Sequence, residues 1–306
     1  MIKAAIYGDP EGPGLDLVRL LLNHPDVGSV NFTSERHAGR RLDDLAPDLA
    51  GDCDVKITGR TDLGHTDVLF CTDGCRIPAE AVEKLRSDLD FRLVSLTAPH
   101  SSEDTSCRFD GMDTFVYGNP EINRKAMVRG ARAAYCPTPI ANAIELALFP
   151  LAKNLLLNSD IDVSSNLRPA GGTTAEIAEA LRSVQTSFSA SIRITPDINA
   201  EGGDRSIFVR VTTFCNLDES EIRRIYNEAY SDHGFTHLLP EGRTVVPGHA
   251  TGTNKCLISF GRNSDGRLDI CADIDSRLKG STGNAVHCMN LLFGLDERVG
   301  LTLYSI

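Results

Sequence analysis

A short apolar run at residues 2–7 has the length and texture of a buried strand. The turn Gly8-Asp-Pro-Glu-Gly-Pro-Gly14 follows. Residues 15–23 then place apolar side chains at 15, 17, 18, 20, 21 and 22, the spacing of a helix. A second short strand is predicted at 30–32, so the chain opens strand, glycine loop, helix, strand, the pattern of a dinucleotide-binding βαβ unit. Apolar runs at 68–71 and 93–96 predict two more buried strands, with a helix at 79–88 between them. Strands alternating with helices imply a parallel sheet with right-handed crossovers.

A strongly apolar helix is predicted at 141–156, and beyond residue 161 the texture changes. Stretches 189–195 and 206–215 are β-rich, and the second partly alternates. Residues 218–229 read as an amphipathic helix, with Asp218 and Glu221 at capping-box spacing. Runs at 255–260 and 268–274 flank Gly261-Arg-Asn-Ser-Asp-Gly266, a hairpin signal. A last helix is predicted at 283–293. The chain is therefore α/β: a Rossmann-like parallel-sheet domain over 1–137, completed by the C-terminal helix within 280–306. An α+β domain with a mainly antiparallel sheet spans 138–279.

The 306 residues suffice for two domains, and 41% hydrophobic with 24% charged residues is ordinary for a globular protein with a sizeable core. A net charge of −11 argues against nucleic-acid or anionic-membrane partners, which require clustered Lys and Arg. The apolar stretch at 141–151 is interrupted by Asn142 and Glu145 and falls short of a membrane span. The opening Met-Ile-Lys-Ala-Ala-Ile-Tyr-Gly is too soon interrupted for a signal peptide, and nine cysteines, an odd count, fit reduced thiols; a cytoplasmic location is expected. Cys71 and Cys75 form a C-x3-C pair with His65 nearby, but no second pair completes a zinc set, and no metal site is expected.

Four C-terminal segments carry a resemblance: Gly252-Thr-Asn-Lys-Cys-Leu-Ile-Ser-Phe260, Ala272-Asp-Ile-Asp275, Lys279-Gly-Ser-Thr-Gly-Asn-Ala285 and Met289-Asn-Leu-Leu-Phe-Gly-Leu-Asp-Glu297. Together with residues 20–27, 115–124 and 143–153, they resemble the N-acetyl-gamma-glutamyl-phosphate reductases of the semialdehyde dehydrogenase superfamily. The resemblance implies an NADP-dependent oxidoreductase acting on a small acyl-phosphate or aldehyde substrate, in a homodimer or homotetramer. Gly8, Gly12 and Gly14 would approach the pyrophosphate, Ser34 and Arg36 would face the 2′-phosphate of NADP, and Asn284 would stand where relatives carry Gln against the nicotinamide.

The same comparison finds departures. The glycines are spaced G-x3-G-x-G, with Glu11 at a family glycine and two N–H donors lost to Pro10 and Pro13. Weak dinucleotide binding, if any, is expected. Glu35 displaces the family's arginine by one position to Arg36. The family nucleophile is a cysteine in Asn-Pro-Gly-Cys-Tyr-Pro-Thr, where a helix N-terminus stabilises the thiolate. An ungapped register places Pro139 there, whereas a gapped one keeps Cys136 as the thiol. The plain alternative makes Cys136 a small apolar residue at a strand end. The family's His-Arg-His-x-Pro-Glu-Ile corresponds to Gly171-Gly-Thr-Thr-Ala-Glu-Ile177, which has no histidine, and Thr97-Ala-Pro-His-Ser101 replaces Ser-Ala-Asp-Phe-Arg. His100 is the group there suited to acid–base work near neutral pH. Two readings stand: an oxidoreductase for which the ordinary thioester reaction is doubtful, and a repurposed homologue, either a non-catalytic scaffold or regulatory binding protein or an enzyme of other chemistry.

Overall fold

A computed structural model describes residues 1–72, 77–97, 115–197 and 203–304. The chain divides into two compact units, 1–137 with 281–302, and 138–280 with 303–306.

In the first unit, strands β1 (Ile2–Tyr7), β2 (Val27–Thr33), β3 (Val68–Cys71), β4 (Arg92–Ser95), β5 (Phe115–Tyr117) and β6 (Ala133–Tyr135) form a parallel sheet in the order β2-β1-β3-β4-β6-β5. All four residues of β3 are buried, as expected for a strand covered on both faces. Helix α1 (Leu15–Leu22) buries Leu17, Val18, Leu20 and Leu21, while Arg19 on its outer side pairs with Asp16 and Asp48. Helices α2 (Leu42–Leu45), α3 (Ala79–Ser87) and α4 (Pro120–Val128) follow in the connections. β1 has β2 on one side and β3 on the other, so the order reverses there, the kind of switch point beside whose carboxyl ends open α/β sheets bind ligands.

Helix α8 (Gly283–Leu292) returns to this unit and packs against α4, α1, β4 and β6. Arg92 Nε donates to the Leu292 carbonyl at 3.2 Å, and its guanidinium lies over the Phe293 ring. His24 Nε2 and Asn290 Oδ1 are 3.0 Å apart, and Asn290 Nδ2 donates to the Val299 carbonyl. These buried polar contacts fix the C-terminal turn on α1 and α8.

The second unit holds β7 (Ile161–Ser165), β8 (Ile192–Pro196), β9 (Ser206–Thr213), β10 (Thr236–Leu238), β11 (Cys256–Arg262) and β12 (Leu268–Asp275), in the order β10-β11-β12-β9-β7-β8. The central pairs are antiparallel, and a parallel strand closes each edge. Helix α5 (Pro139–Lys153) lies on this sheet and also meets α6 (Thr173–Val184) and α7 (Glu219–Tyr230). It is buried almost all round, from Ile140 to Ala152. Pro150 within it has no N–H, which frees the Leu146 carbonyl from its helical donor. The Tyr230 hydroxyl donates to that carbonyl, and the Tyr226 hydroxyl donates to the Ala147 carbonyl at 2.5 Å. Burial raises the Tyr226 pKa further, so the phenol stays protonated and can donate. The Asp218–Glu221 capping box opens α7.

Candidate functional site

The glycine loop joins β1 to α1. Its single turn closes when the Leu15 N–H donates to the Pro10 carbonyl. Gly12 adopts φ +91° and faces open space, with nothing within 4 Å of where a Cβ would stand. Gly14 does the opposite: a Cβ there would lie 2.6 Å from the Asp9 carbonyl and 2.8 Å from the Phe32 ring. So Gly14 permits close helix–strand packing, and Gly12 leaves room at the helix start. This cradle fits the pyrophosphate of a dinucleotide. Glu11 is exposed, and its N–H is taken by Asp9 Oδ1 at 3.1 Å.

Ser34 is buried, and its N–H donates to the Thr58 carbonyl. Arg36 is largely exposed, and Nη1 lies 3.2 Å from Asp9 Oδ2. His37 is buried, with Nε2 3.4 Å from Asp9 Oδ1. Asp9 therefore joins the glycine loop to the end of β2. Sequence reasoning missed both Asp9 and His37, because nothing in a spacing of 27 residues reveals the pairing of Asp9 with Arg36.

Asn284 in α8 is buried and donates from Nδ2 to the Gly118 carbonyl at 2.6 Å, while its Oδ1 has no partner among the described residues. The available oxygen is an acceptor suited to a carboxamide N–H. Cys288, one turn further along α8, approaches the same carbonyl.

Cys136 follows β6 and is 1% exposed; its N–H donates to the Ser95 carbonyl at 2.8 Å. Gly118 packs beside it: a Cβ at Gly118 would meet the Tyr135 carbonyl at 2.7 Å. His100, expected to do acid–base work, lies outside the described residues, as does Cys75. Cys71 is fully buried, which pushes its thiol pKa up.

In the second unit, Thr138 is the N-cap of α5 and Pro139 its first residue. Glu176 of α6 accepts from the Thr138 N–H at 2.8 Å and from its hydroxyl at 2.6 Å. Ahead of Glu176, the segment that replaces the family's histidines has Gly172 at φ +91° and Thr173 bonded to the Ala170 carbonyl. No titratable side chain occupies 171–173. Gly280 packs against Pro139, and a Cβ there would lie 3.1 Å from Pro139 Cβ and 3.2 Å from the Asp275 carbonyl. Asn142 Nδ2 donates to the carbonyl of Lys279, which is fully buried. Asp275 accepts from the Gly252, Arg277 and Leu278 N–H groups and pairs with Arg205 at 2.7 Å. Asp273, two residues earlier, accepts from the Ser206 hydroxyl and the Ala250 N–H; burial raises its pKa.

Among the described residues, no group of three or more His, Cys, Asp or Glu could hold a metal ion, and no helix is long and apolar enough to cross a membrane.

Comparison with known proteins places these features in a family. Residues 4–129 match the semialdehyde dehydrogenase NAD-binding domain, and residues 173–276 match the semialdehyde dehydrogenase dimerisation domain. The N-acetyl-gamma-glutamyl-phosphate reductase of Parabacteroides distasonis is 34% identical, covering 99% of this chain and 98% of its own length. That of Phocaeicola vulgatus is 33% identical with the same coverage. In fold, the chain is similar to aspartate semialdehyde dehydrogenase II from Vibrio cholerae (TM-score 0.69, 13% identity, 96% of this chain and 99% of that one). It is likewise similar to the Candida albicans aspartate semialdehyde dehydrogenase crystallised with NADP (TM-score 0.65, 12% identity, 96% and 98%). Across its full length, with a NAD(P)-binding domain followed by a dimerisation domain, the chain belongs to the N-acetyl-gamma-glutamyl-phosphate reductase family of semialdehyde dehydrogenases.

Proposed function

We propose that this chain is a nicotinamide-dinucleotide-dependent oxidoreductase acting on a small aldehyde or acyl-phosphate compound, and that it does not follow its family's thioester route. The observation that carries the proposal is the start of α5. Pro139 is the first helical residue, where the ungapped register requires a thiol, and Cys136 is buried at the end of β6. A thiolate must come within about 3–3.5 Å of the acyl carbon in a near-attack geometry. Pro137 and Pro139 stiffen the segment that would have to bring it there. Residues 171–173 offer no general acid, and the loss of such a group typically costs ~10²–10⁴-fold in rate.

Gly8, Gly12 and Gly14 would hold the pyrophosphate, Ser34 and Arg36 the adenosine end, and Asn284 the nicotinamide. A bound dinucleotide supplies or accepts the hydride. The resemblance names NADP, and the proposal includes weak binding of it, because the carboxylate of Glu11 stands where a family glycine would admit the phosphates. Residues 138–279 would build the face of a homodimer or homotetramer, which sedimentation would detect.

The burial of Cys136 and the missing histidine also favour a second reading, a repurposed non-catalytic homologue. One experiment separates the readings: reduction of NADP or NAD with N-acetylglutamate semialdehyde and phosphate, in the parent and in Cys136→Ser. Turnover that survives in Cys136→Ser supports an enzyme of other chemistry. Its absence in both, with dinucleotide binding intact, supports the repurposed homologue. Robust turnover abolished by Cys136→Ser overturns the proposal.

A further inference from the structure

The end of β2 is the part of a dinucleotide fold that tells NAD from NADP. A carboxylate there takes the ribose hydroxyls, whereas an arginine accommodates the 2′-phosphate. In this chain an arginine stands at that position but is already engaged by a carboxylate from the opposite wall. Asp9 lies directly after Gly8, at the carboxyl end of β1. One of its oxygens accepts the Glu11 N–H at 3.1 Å and lies 3.4 Å from His37 Nε2; the other is 3.2 Å from Arg36 Nη1. The Asp9 carboxylate is thus held from two sides, by the Glu11 N–H and by Arg36, and it is only partly exposed. Arg36 is far more exposed, so its charge is the one more screened by water. Glu11 and Glu35 add two exposed carboxylates to the same surface.

We infer that Asp9 makes the nucleotide site select an unphosphorylated ribose, NAD(H) over NADP(H). The inference rests on the dinucleotide reading above and specifies its ligand. A 2′-phosphate brought to Arg36 must displace Asp9 or sit beside it. Displacement forfeits the Arg36 pairing, and coexistence places an anion of charge near −2 against a carboxylate already bonded to the loop. A ribose hydroxyl meets neither cost, because it donates a hydrogen bond to the carboxylate and leaves the pairing in place. The second anchor, the Glu11 N–H, ties Asp9 to the turn itself, so the carboxylate swings away only by giving up that bond.

Calorimetric titration of the full chain with NADH and NADPH tests this in the parent, Asp9→Asn and Asp9→Asn/Arg36→Ala. Asn keeps the shape and the acceptor for Glu11 but removes the charge. The parent should bind NADH at least ~10-fold more tightly than NADPH, the scale of one poorly screened like-charge contact. Asp9→Asn should tighten NADPH by a similar factor while NADH holds or weakens, and adding Arg36→Ala should remove the NADPH gain. A parent that prefers NADPH, or an Asp9→Asn variant whose NADPH affinity is unchanged, overturns the inference and leaves the dinucleotide reading intact. If neither nucleotide binds parent or variant, with the fold intact by circular dichroism, the dinucleotide reading fails and this inference with it.

Discussion

Tyr230→Phe should destabilise the second unit by leaving one carbonyl without a donor. The Leu146 carbonyl in α5 loses its helical N–H because the residue four further on is Pro150, and the Tyr230 hydroxyl supplies the replacement. Both residues are buried, so water does not substitute readily. Phenylalanine keeps the ring and its packing, and removes only the donor. An unsatisfied buried acceptor costs ~1–3 kcal/mol, against a net value nearer ~1 kcal/mol for an ordinary exchangeable hydrogen bond. The structure also supplies the rescue, since Pro150→Ala restores a backbone N–H in register with that carbonyl. In a Pro150→Ala background, Tyr230→Phe should therefore cost much less, giving a coupling of ~1 kcal/mol or more in a double-mutant cycle. The assay is urea denaturation followed by circular dichroism, which does not depend on the lost tyrosine's fluorescence. A Tyr230→Phe effect within ~0.5 kcal/mol of the parent, the usual range for changes at featureless positions, would refute the reasoning. So would a cycle with no coupling.

Glu176→Ala removes the carboxylate that caps α5 through Thr138, and should cost ~1–2 kcal/mol, with Glu176→Gln recovering part of it, again by denaturation. Asp273 has its folded pKa raised above 3.8 by burial, so the folded protein retains that proton to higher pH than the unfolded chain. Its contribution is fully present below the unfolded value and is lost as pH rises through the folded one. The stability of the parent relative to Asp273→Asn should accordingly fall across that window, and a flat difference between pH 3 and 7 would contradict it. Glu11→Gly should tighten dinucleotide binding by calorimetry, because it removes a carboxylate and a Cβ from the cradle beside Gly12.

The fold was legible where burial and sequence pattern coincide. The four residues of β3 are apolar and all buried, so the run at 68–71 marks the strand unaided. The capping box of α7 and the β11–β12 hairpin were visible because their signals are local. Strand β2 extends further than its apolar residues suggest, since it begins with Gly28 and Ser29, both exposed, after Val27. Helix α5 stops at Lys153, not at 156, although the sequence continues Leu155-Leu-Leu157: Leu155 has φ 59°, a left-handed exit that apolar counting cannot detect. Gly8, Gly12, Gly14, Ser34, Arg36 and Asn284 are candidates that motif positions alone can propose. What they touch cannot be read that way. The Asp9–Arg36–His37 cluster and the bond from Asn284 to Gly118 join residues far apart in sequence, and they exist only once the loop conformation is fixed. Glu176 is the instructive case. It aligns with a family glutamate, yet its role as the cap of α5 becomes clear only from its two bonds to Thr138.

On the proposed chemistry, no thioester forms on this chain. Intact-protein mass spectrometry tests it most directly, after incubation with N-acetylglutamate semialdehyde and an oxidised dinucleotide in the absence of phosphate, where an acyl-enzyme cannot be discharged to phosphate. The mass of the parent should stay unchanged. A mass increase equal to the acyl group, mapped to Cys136 and lost in Cys136→Ser, would contradict it.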